Sequence, residues 1–145
     1  MYRLKTEHSF DAAHFLANYQ GKCHNIHGHH WRVVLEAQGA ELKRDPQQNG
    51  MLVDFGDLKR DLRRVVDEFD HTLIAESGSL SPALCELLRA ENFSVTEVPF
   101  RPTAENFARY FYDRMAACGY SIYRCMVYET ETNCAEYLCE GGDDA

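Results

Sequence analysis

The stretch Cys23-His24-Asn25-Ile26-His27-Gly28-His29-His30-Trp31-Arg32-Val33-Val34-Leu35-Glu36-Ala37 changes character half-way along. Its second half alternates. Trp31, Val33, Leu35 and Ala37 fall on one side, and Arg32, Glu36 and Gln38 on the other. That period of two predicts a half-buried strand over 29–39. Its first half gathers four of the seven histidines of the chain into eight residues. Side chains alternate along an extended backbone, so His27 and His29 share a face. Gly28 between them removes a side chain and lets the backbone bend.

Towards the N-terminus, residues 2–12 alternate in the same way. Tyr2, Leu4, Thr6, His8 and Phe10 oppose Arg3, Lys5, Glu7 and Ser9, which predicts a first strand. Residues 15–28, with Asn, Gly and Lys, read as a loop. Towards the C-terminus, Asp45-Pro46-Gln47-Gln48-Asn49-Gly50 is a turn cluster. Asp54 then offers an N-cap for a helix over about 55–69, with Asp57 suited to the dipole of its first turn. Phe55, Leu58, Leu62, Val65, Val66 and Phe69 recur at helical spacing, opposite Lys59, Arg60, Asp61, Arg63, Arg64 and Asp67. Residues 75–101 are less regular and predict a short helix at 81–90 between loops. A second long helix opens at Pro102-Thr103, with Thr103 as N-cap and Gly119 as its stop. Strands at 121–130 and 133–139 form a closing hairpin. The acidic tail Glu140-Gly141-Gly142-Asp143-Asp144-Ala145 is expected to fray. The order strand, strand, helix, helix, strand, strand predicts an α+β domain with an antiparallel sheet and helices on one face.

The chain has 145 residues, which predicts a single domain over 1–145 with a sizeable core. Apolar residues make up 45% and charged residues 26%, so a disordered chain is excluded. No apolar run approaches the ~18 residues of a membrane span, and the polar N-terminus carries no secretory signal. The net charge of -8 argues against nonspecific nucleic-acid binding, but leaves room for a phosphorylated small molecule met by a local basic patch. Six cysteines without a C-x-x-C pair, and without a secretory signal, read as reduced thiols in a cytoplasmic protein, most of them small core residues.

His14, at the end of the first strand, can join His27 and His29 if the two strands pair. Three imidazoles with an open fourth position suit a catalytic zinc ion, although an isolated H-x-H pair is often a surface accident. His24 and His30 point elsewhere and read as solvated or as supporting the ligands. His8 reads as structural. Two readings stand for Cys23: a thiolate base or nucleophile with its pKa lowered by a nearby dication, or a fourth ligand in a closed structural site. Asp70-His71 could be a proton-transfer pair, or simply a histidine placed against a helix C-terminus. Glu129, ending an apolar strand, could accept two hydrogen bonds from an amidine-like edge such as that of a pterin, or lie exposed. Glu105 is explained by the dipole of the helix it opens.

Together these residues resemble the 6-pyruvoyltetrahydropterin synthase superfamily, and within it the bacterial 6-carboxytetrahydropterin synthases of queuosine biosynthesis. Phe10-Asp11-Ala12-Ala13-His14 resembles the first zinc-ligand motif, and Cys23-x3-His27-Gly28-His29 the catalytic cysteine with the other two ligands. Met51-Leu52-Val53-Asp54-Phe55, Asp70-His71-Thr72-Leu73, Pro102-Thr103-Ala104-Glu105-Asn106, and Glu129-Thr130 with Ala135-x-Tyr137 follow in the family order. The three-residue gap between Cys23 and His27 resembles the carboxy-synthases, whereas the animal pyruvoyl-synthases have a longer one. The 75–101 segment is longer than in the shortest members. The resemblance implies a tunnelling fold, a four-stranded antiparallel sheet with two helices on one face. It implies homo-oligomers, hexamers built as dimers of trimers, with sites at their interfaces. It implies Zn2+ on His14, His27 and His29, and catalysis by Cys23, Asp70, His71 and Glu129. The substrate would be 7,8-dihydroneopterin triphosphate, a pterin triphosphate held by Glu129 with Thr103 and Glu105 as helpers, and Lys22 a candidate for the triphosphate. Triphosphate elimination to a pyruvoyl pterin, side-chain cleavage to a hydroxymethyl pterin by a related lyase, and a noncatalytic zinc-stabilised module are the competing readings.

Overall fold

The computed structural model describes residues 1–141; of the acidic tail, residues 142–145 lie outside it. Strand β1 (Tyr2–His14) and strand β2 (His27–Gly39) form a long antiparallel pair. Helix α1 (Phe55–Val66) follows, then β3 (Thr72–Glu76), helix α2 (Pro82–Ala90), β4 (Val95–Val98), helix α3 (Ala104–Ala117), β5 (Ile122–Tyr128) and β6 (Cys134–Leu138). The sheet runs β4-β3-β1-β2-β5-β6.

The α+β class and the predicted element order hold, with two additions. The sheet has six strands where the sequence predicts four, and it is mixed rather than antiparallel, because β3 runs parallel to both β1 and β4. Parallel neighbours require a crossover, and α2 supplies it between β3 and β4. The four residues of β4 are too few to show a period, so segment 75–101 read as helix and loop alone.

The predicted caps are present. Asp54 accepts from the Gly56 amide at 2.7 Å, and the Thr103 hydroxyl accepts from the Asn106 amide at 3.3 Å. Leu58, Leu62, Val65 and Val66 of α1 and Phe107, Ala108, Phe111 and Met115 of α3 are buried against the sheet. Phe55 departs from the predicted apolar stripe: at the first helical position it is 58% exposed and lines a groove with Tyr2 and Met51. On the sheet side, Phe10 stacks on Trp31 with ring centroids 5.7 Å apart, and Phe69, Phe107 and Phe111 pack around Phe10. Each such ring is worth roughly 1.5–3 kcal/mol of burial. His8 Nε2 donates to the Asp67 carboxylate at 2.8 Å, tying β1 to the end of α1 in the structural role expected.

The cysteines correct the sequence reading. All six are free thiols, but only Cys85 and Cys125 are buried, Cys23 and Cys139 are half-buried, and Cys118 and Cys134 are exposed.

Candidate metal centre and active site

The core periodicity itself places the histidines. The β1–β2 register sets Phe10 opposite Trp31, Ala12 opposite His29, and His14 opposite His27. Phe10, Ala12 and His14 share the helix-facing side of β1, as Trp31, His29 and His27 do on β2. The apolar row therefore ends in three imidazoles clustered edge-to-face beyond Trp31. Their ring centroids are 4.6 to 5.1 Å apart, and Trp31 lies 4.9 Å from His14 and 5.5 Å from His29.

Two rings have a defined tautomer. His14 Nδ1 donates to the Pro102 carbonyl at 2.7 Å, and His27 Nδ1 donates to the Asn25 carbonyl at 2.7 Å. A carbonyl can only accept, so in the neutral ring each Nε2 carries a lone pair. Nε2 of His14, His27 and His29 are all buried without a hydrogen-bond partner. An orphaned buried nitrogen costs about 1–3 kcal/mol, so three converging orphans require an external partner. The ligating nitrogens lie within 4.8 Å of one another, a group that could hold a metal ion. Burial pushes His14 down to about 4, with His27 and His29 adding to the shift and the Pro102 carbonyl opposing it. Burial also lowers His29, against the pull of Glu129. His14 and His29 are thereby biased towards the neutral form that metals bind.

Cys23 sits in a single 3-10 turn, Lys22–His24, and is half-buried. It lies outside the three-histidine group, so the arrangement does not make it a fourth ligand. Glu129 follows β5 and is brought to the triad, with Oε1 3.2 Å from His29 Nε2 but not aligned as a hydrogen bond. Thr103 caps α3, and Glu105 is exposed in its first turn.

Asp70 and His71 lie elsewhere. Asp70 Oδ1 accepts from the Asp11 amide at 2.9 Å, and Oδ2 lies 3.0 Å from His71 Nδ1. The Asp11 amide, and secondarily His71, hold the Asp70 carboxyl below its usual range. His71 adopts a left-handed backbone, φ 58°, and its amide donates to the Asp11 carbonyl at 2.7 Å. A non-glycine residue held there marks a position fixed by its surroundings. His71 lines an open cavity of about 520 Å3 with Asp11, Ala12, Ala13, Gly28, His29, His30 and Thr72. Asp11, Ala13 and His30 belong to the face of β1–β2 opposite the triad side chains, while His29 is a member of the triad itself, so the Asp-His pair opens mainly, not wholly, away from the histidines.

Sequence reasoning did not find Pro102 and Asn25 as orienting groups, because both act through backbone carbonyls that any residue could supply. It also left His30 without a partner; His30 Nδ1 lies 2.8 Å from Asp11 Oδ1 on the exposed face.

Residues 3–140 match the sequence family described as 6-pyruvoyl tetrahydropterin synthase. The chain belongs to that family. It is 35% identical over 140 residues to the 6-carboxy-5,6,7,8-tetrahydropterin synthase of Haemophilus influenzae, covering 94% of this chain and 99% of that one. It is 32% identical over 126 residues to the protein of the same name from Synechocystis, covering 80% and 98% of the two chains. These relatives place it among the lyases of the 6-pyruvoyl tetrahydropterin synthase family. In structure it resembles the 6-pyruvoyl tetrahydropterin synthase of Caenorhabditis elegans, with a TM-score of 0.66, 24% identity and 95% of each chain covered. A Wolinella succinogenes protein superposes with a TM-score of 0.74 at 21% identity, covering 96% of this chain and 98% of that one. Both likenesses establish the tunnelling fold.

Proposed function

We propose that the chain is a zinc-dependent 6-carboxytetrahydropterin synthase of queuosine biosynthesis. It converts 7,8-dihydroneopterin triphosphate and water to 6-carboxytetrahydropterin, acetaldehyde and triphosphate. The observation that carries this reading is the convergence of three buried, partnerless Nε2 atoms in a chain so similar over its length to proteins of that name.

His14, His27 and His29 would hold the zinc, with the Pro102 and Asn25 carbonyls fixing two of the rings. Bound there, zinc supplies Lewis-acid polarisation of substrate oxygens. Glu129, beside the triad, anchors the pterin edge, and Thr103 and Glu105 assist from the start of α3. Cys23 takes the proton from the substrate side chain as thiolate. His71, held by Asp70, exchanges protons on the other side of the substrate. Lys22 meets the triphosphate. His71 is 79% exposed and opens mainly onto the face opposite the triad side chains, which supports a site in which a neighbouring copy brings the pair to Cys23. The reading is of a homo-oligomer with each site completed by more than one chain, the hexamer of two trimers that the family resemblance implies. The free cysteines fit a cytoplasmic enzyme, and no helix among the described residues is long and apolar enough to cross a membrane.

The test is product analysis. Purified protein with zinc is incubated with 7,8-dihydroneopterin triphosphate and the products are read by mass spectrometry. 6-Carboxytetrahydropterin with equimolar acetaldehyde is expected. A pyruvoyl or hydroxymethyl pterin would assign a sister reaction, and no turnover would leave a zinc-stabilised module.

A further inference from the structure

We infer that Arg101 is a positioning residue that clamps the Cys23 loop against the start of α3, and so sets where the Cys23 thiol lies relative to the histidine triad. The inference rests on the reading of Cys23 as the proton-abstracting group.

The loop has little packing of its own. Residues 18–22 are exposed, and its base is closed by the Leu16 amide donating to the Cys23 carbonyl at 2.9 Å. Within it Asn18 takes a left-handed backbone, φ 62°. Gly21 lies flat on Tyr19, where a Cβ would come 2.6 Å from the ring. The turn carrying Cys23 follows directly, closed by His24 N to Gly21 O at 3.2 Å and Asn25 N to Lys22 O at 3.1 Å. Asn25 then presents the carbonyl that orients His27.

Arg101 grips this loop from outside. Its guanidinium donates to the Ala17 carbonyl at 3.1 Å and sits 5.5 Å from the centre of the Tyr19 ring. Its own carbonyl accepts from the Asn106 side chain at 2.9 Å, and the next carbonyl, that of Pro102, orients His14. One residue thus joins the two segments whose carbonyls set two triad rings, with Cys23 on one of them. A purely structural cation does not explain the choice of arginine. Nε is buried without an acceptor, a penalty that lysine would avoid. A planar, rigid fork holds a carbonyl and keeps its cation near a ring with less lost freedom than a flexible lysine stem.

The test compares R101A and R101K with the unaltered protein. Iodoacetamide alkylation at Cys23 is followed by peptide mass spectrometry, with exposed Cys118 as internal reference. Zinc per chain is measured alongside, with kcat and KM for 7,8-dihydroneopterin triphosphate. Releasing the loop is expected to raise Cys23 alkylation about threefold relative to Cys118, with zinc unchanged. The kcat is expected to fall about tenfold with KM little altered, because small misplacements of a reacting group cost rate rather than binding. R101K should fall between. Where R101A does not fold, R101K and Y19L carry the same readouts. An unchanged alkylation ratio overturns the clamp. So does loss of zinc, which would place the effect on His14, and so does a raised KM at constant kcat, which would make Arg101 a triphosphate ligand. If the unaltered protein turns over no pterin, the proposed reaction fails while the alkylation ratio still decides the clamp.

Discussion

His14 Nδ1 donates to the Pro102 carbonyl across 88 residues of sequence, and that single bond leaves the Nε2 lone pair of a buried imidazole free to ligate a metal ion. It fixes the proton on Nδ1 and points the Nε2 lone pair at the two other histidines. The remaining question at this position is electrostatic. His14 is 1% exposed, and burial holds it at about 4, against 6.5 for a free histidine.

The sign of the pH dependence follows. Between about 4 and 6.5 the unfolded chain binds a proton at His14 that the folded, metal-free chain does not, so stability rises with pH in that window and is lost as pH falls through it. At pH 5 the metal-free protein is expected to be about 2 kcal/mol less stable than at pH 7 from this group. Urea unfolding of chelator-treated protein at the two pH values checks this. A curve with no slope over the window would mean that His14 is already protonated when folded.

The triad and Cys23 are separable. His27→Ala removes a ligand and is expected to weaken zinc binding by more than about 100-fold and abolish turnover. Cys23→Ala should keep one zinc per chain and still lose turnover, since Cys23 lies outside the histidine group. Metal analysis after dialysis against a weak chelator distinguishes them. Loss of zinc in the cysteine variant would make Cys23 a structural ligand.

How much of this was legible beforehand follows from period and chemistry. The histidine triad was readable because it continues the same alternation that fills the core: a register pairing Phe10 with Trp31 also pairs His14 with His27. The caps Asp54 and Thr103 were readable because capping is a local bond. Strands β3 and β4 were not, because five and four residues carry too short a pattern, and their pairing is non-local. Phe55 was misplaced because helical spacing does not say where a helix first meets the sheet. Arg101 carried no signal, since its importance lies in which carbonyl and which ring the fold brings to it.

Glu129 lies close enough to His29 for its carboxylate to be mistaken for a ligand. Glu129→Gln removes the charge at nearly constant shape. If the carboxylate holds the pterin edge, KM is expected to rise about 10- to 100-fold, the worth of one or two charge-assisted hydrogen bonds, with zinc retained. Steady-state kinetics with parallel metal analysis reads both. Zinc loss with unchanged KM would transfer Glu129 to the metal.

The separation of His71 from the triad makes the sharpest demand on assembly. His71 opens into a cavity with Asp11, Ala13, Gly28, His30 and the triad residue His29, while the His14 and His27 side chains lie on the helix-facing side of the β1–β2 pair. The proposed site pairs Cys23 of one copy with His71 of another. Cys23→Ala and His71→Ala homo-oligomers should then each be inactive. Mixed oligomers, formed by co-expressing the two with different affinity tags and purifying through both, should recover activity at sites that draw an intact Cys23 from one chain and an intact His71 from the other. Their activity is expected to be a substantial fraction of the unaltered enzyme, and far above either parent. Mixed oligomers as inactive as their parents would show that one chain supplies both groups, and would require β1–β3 to rearrange when substrate binds.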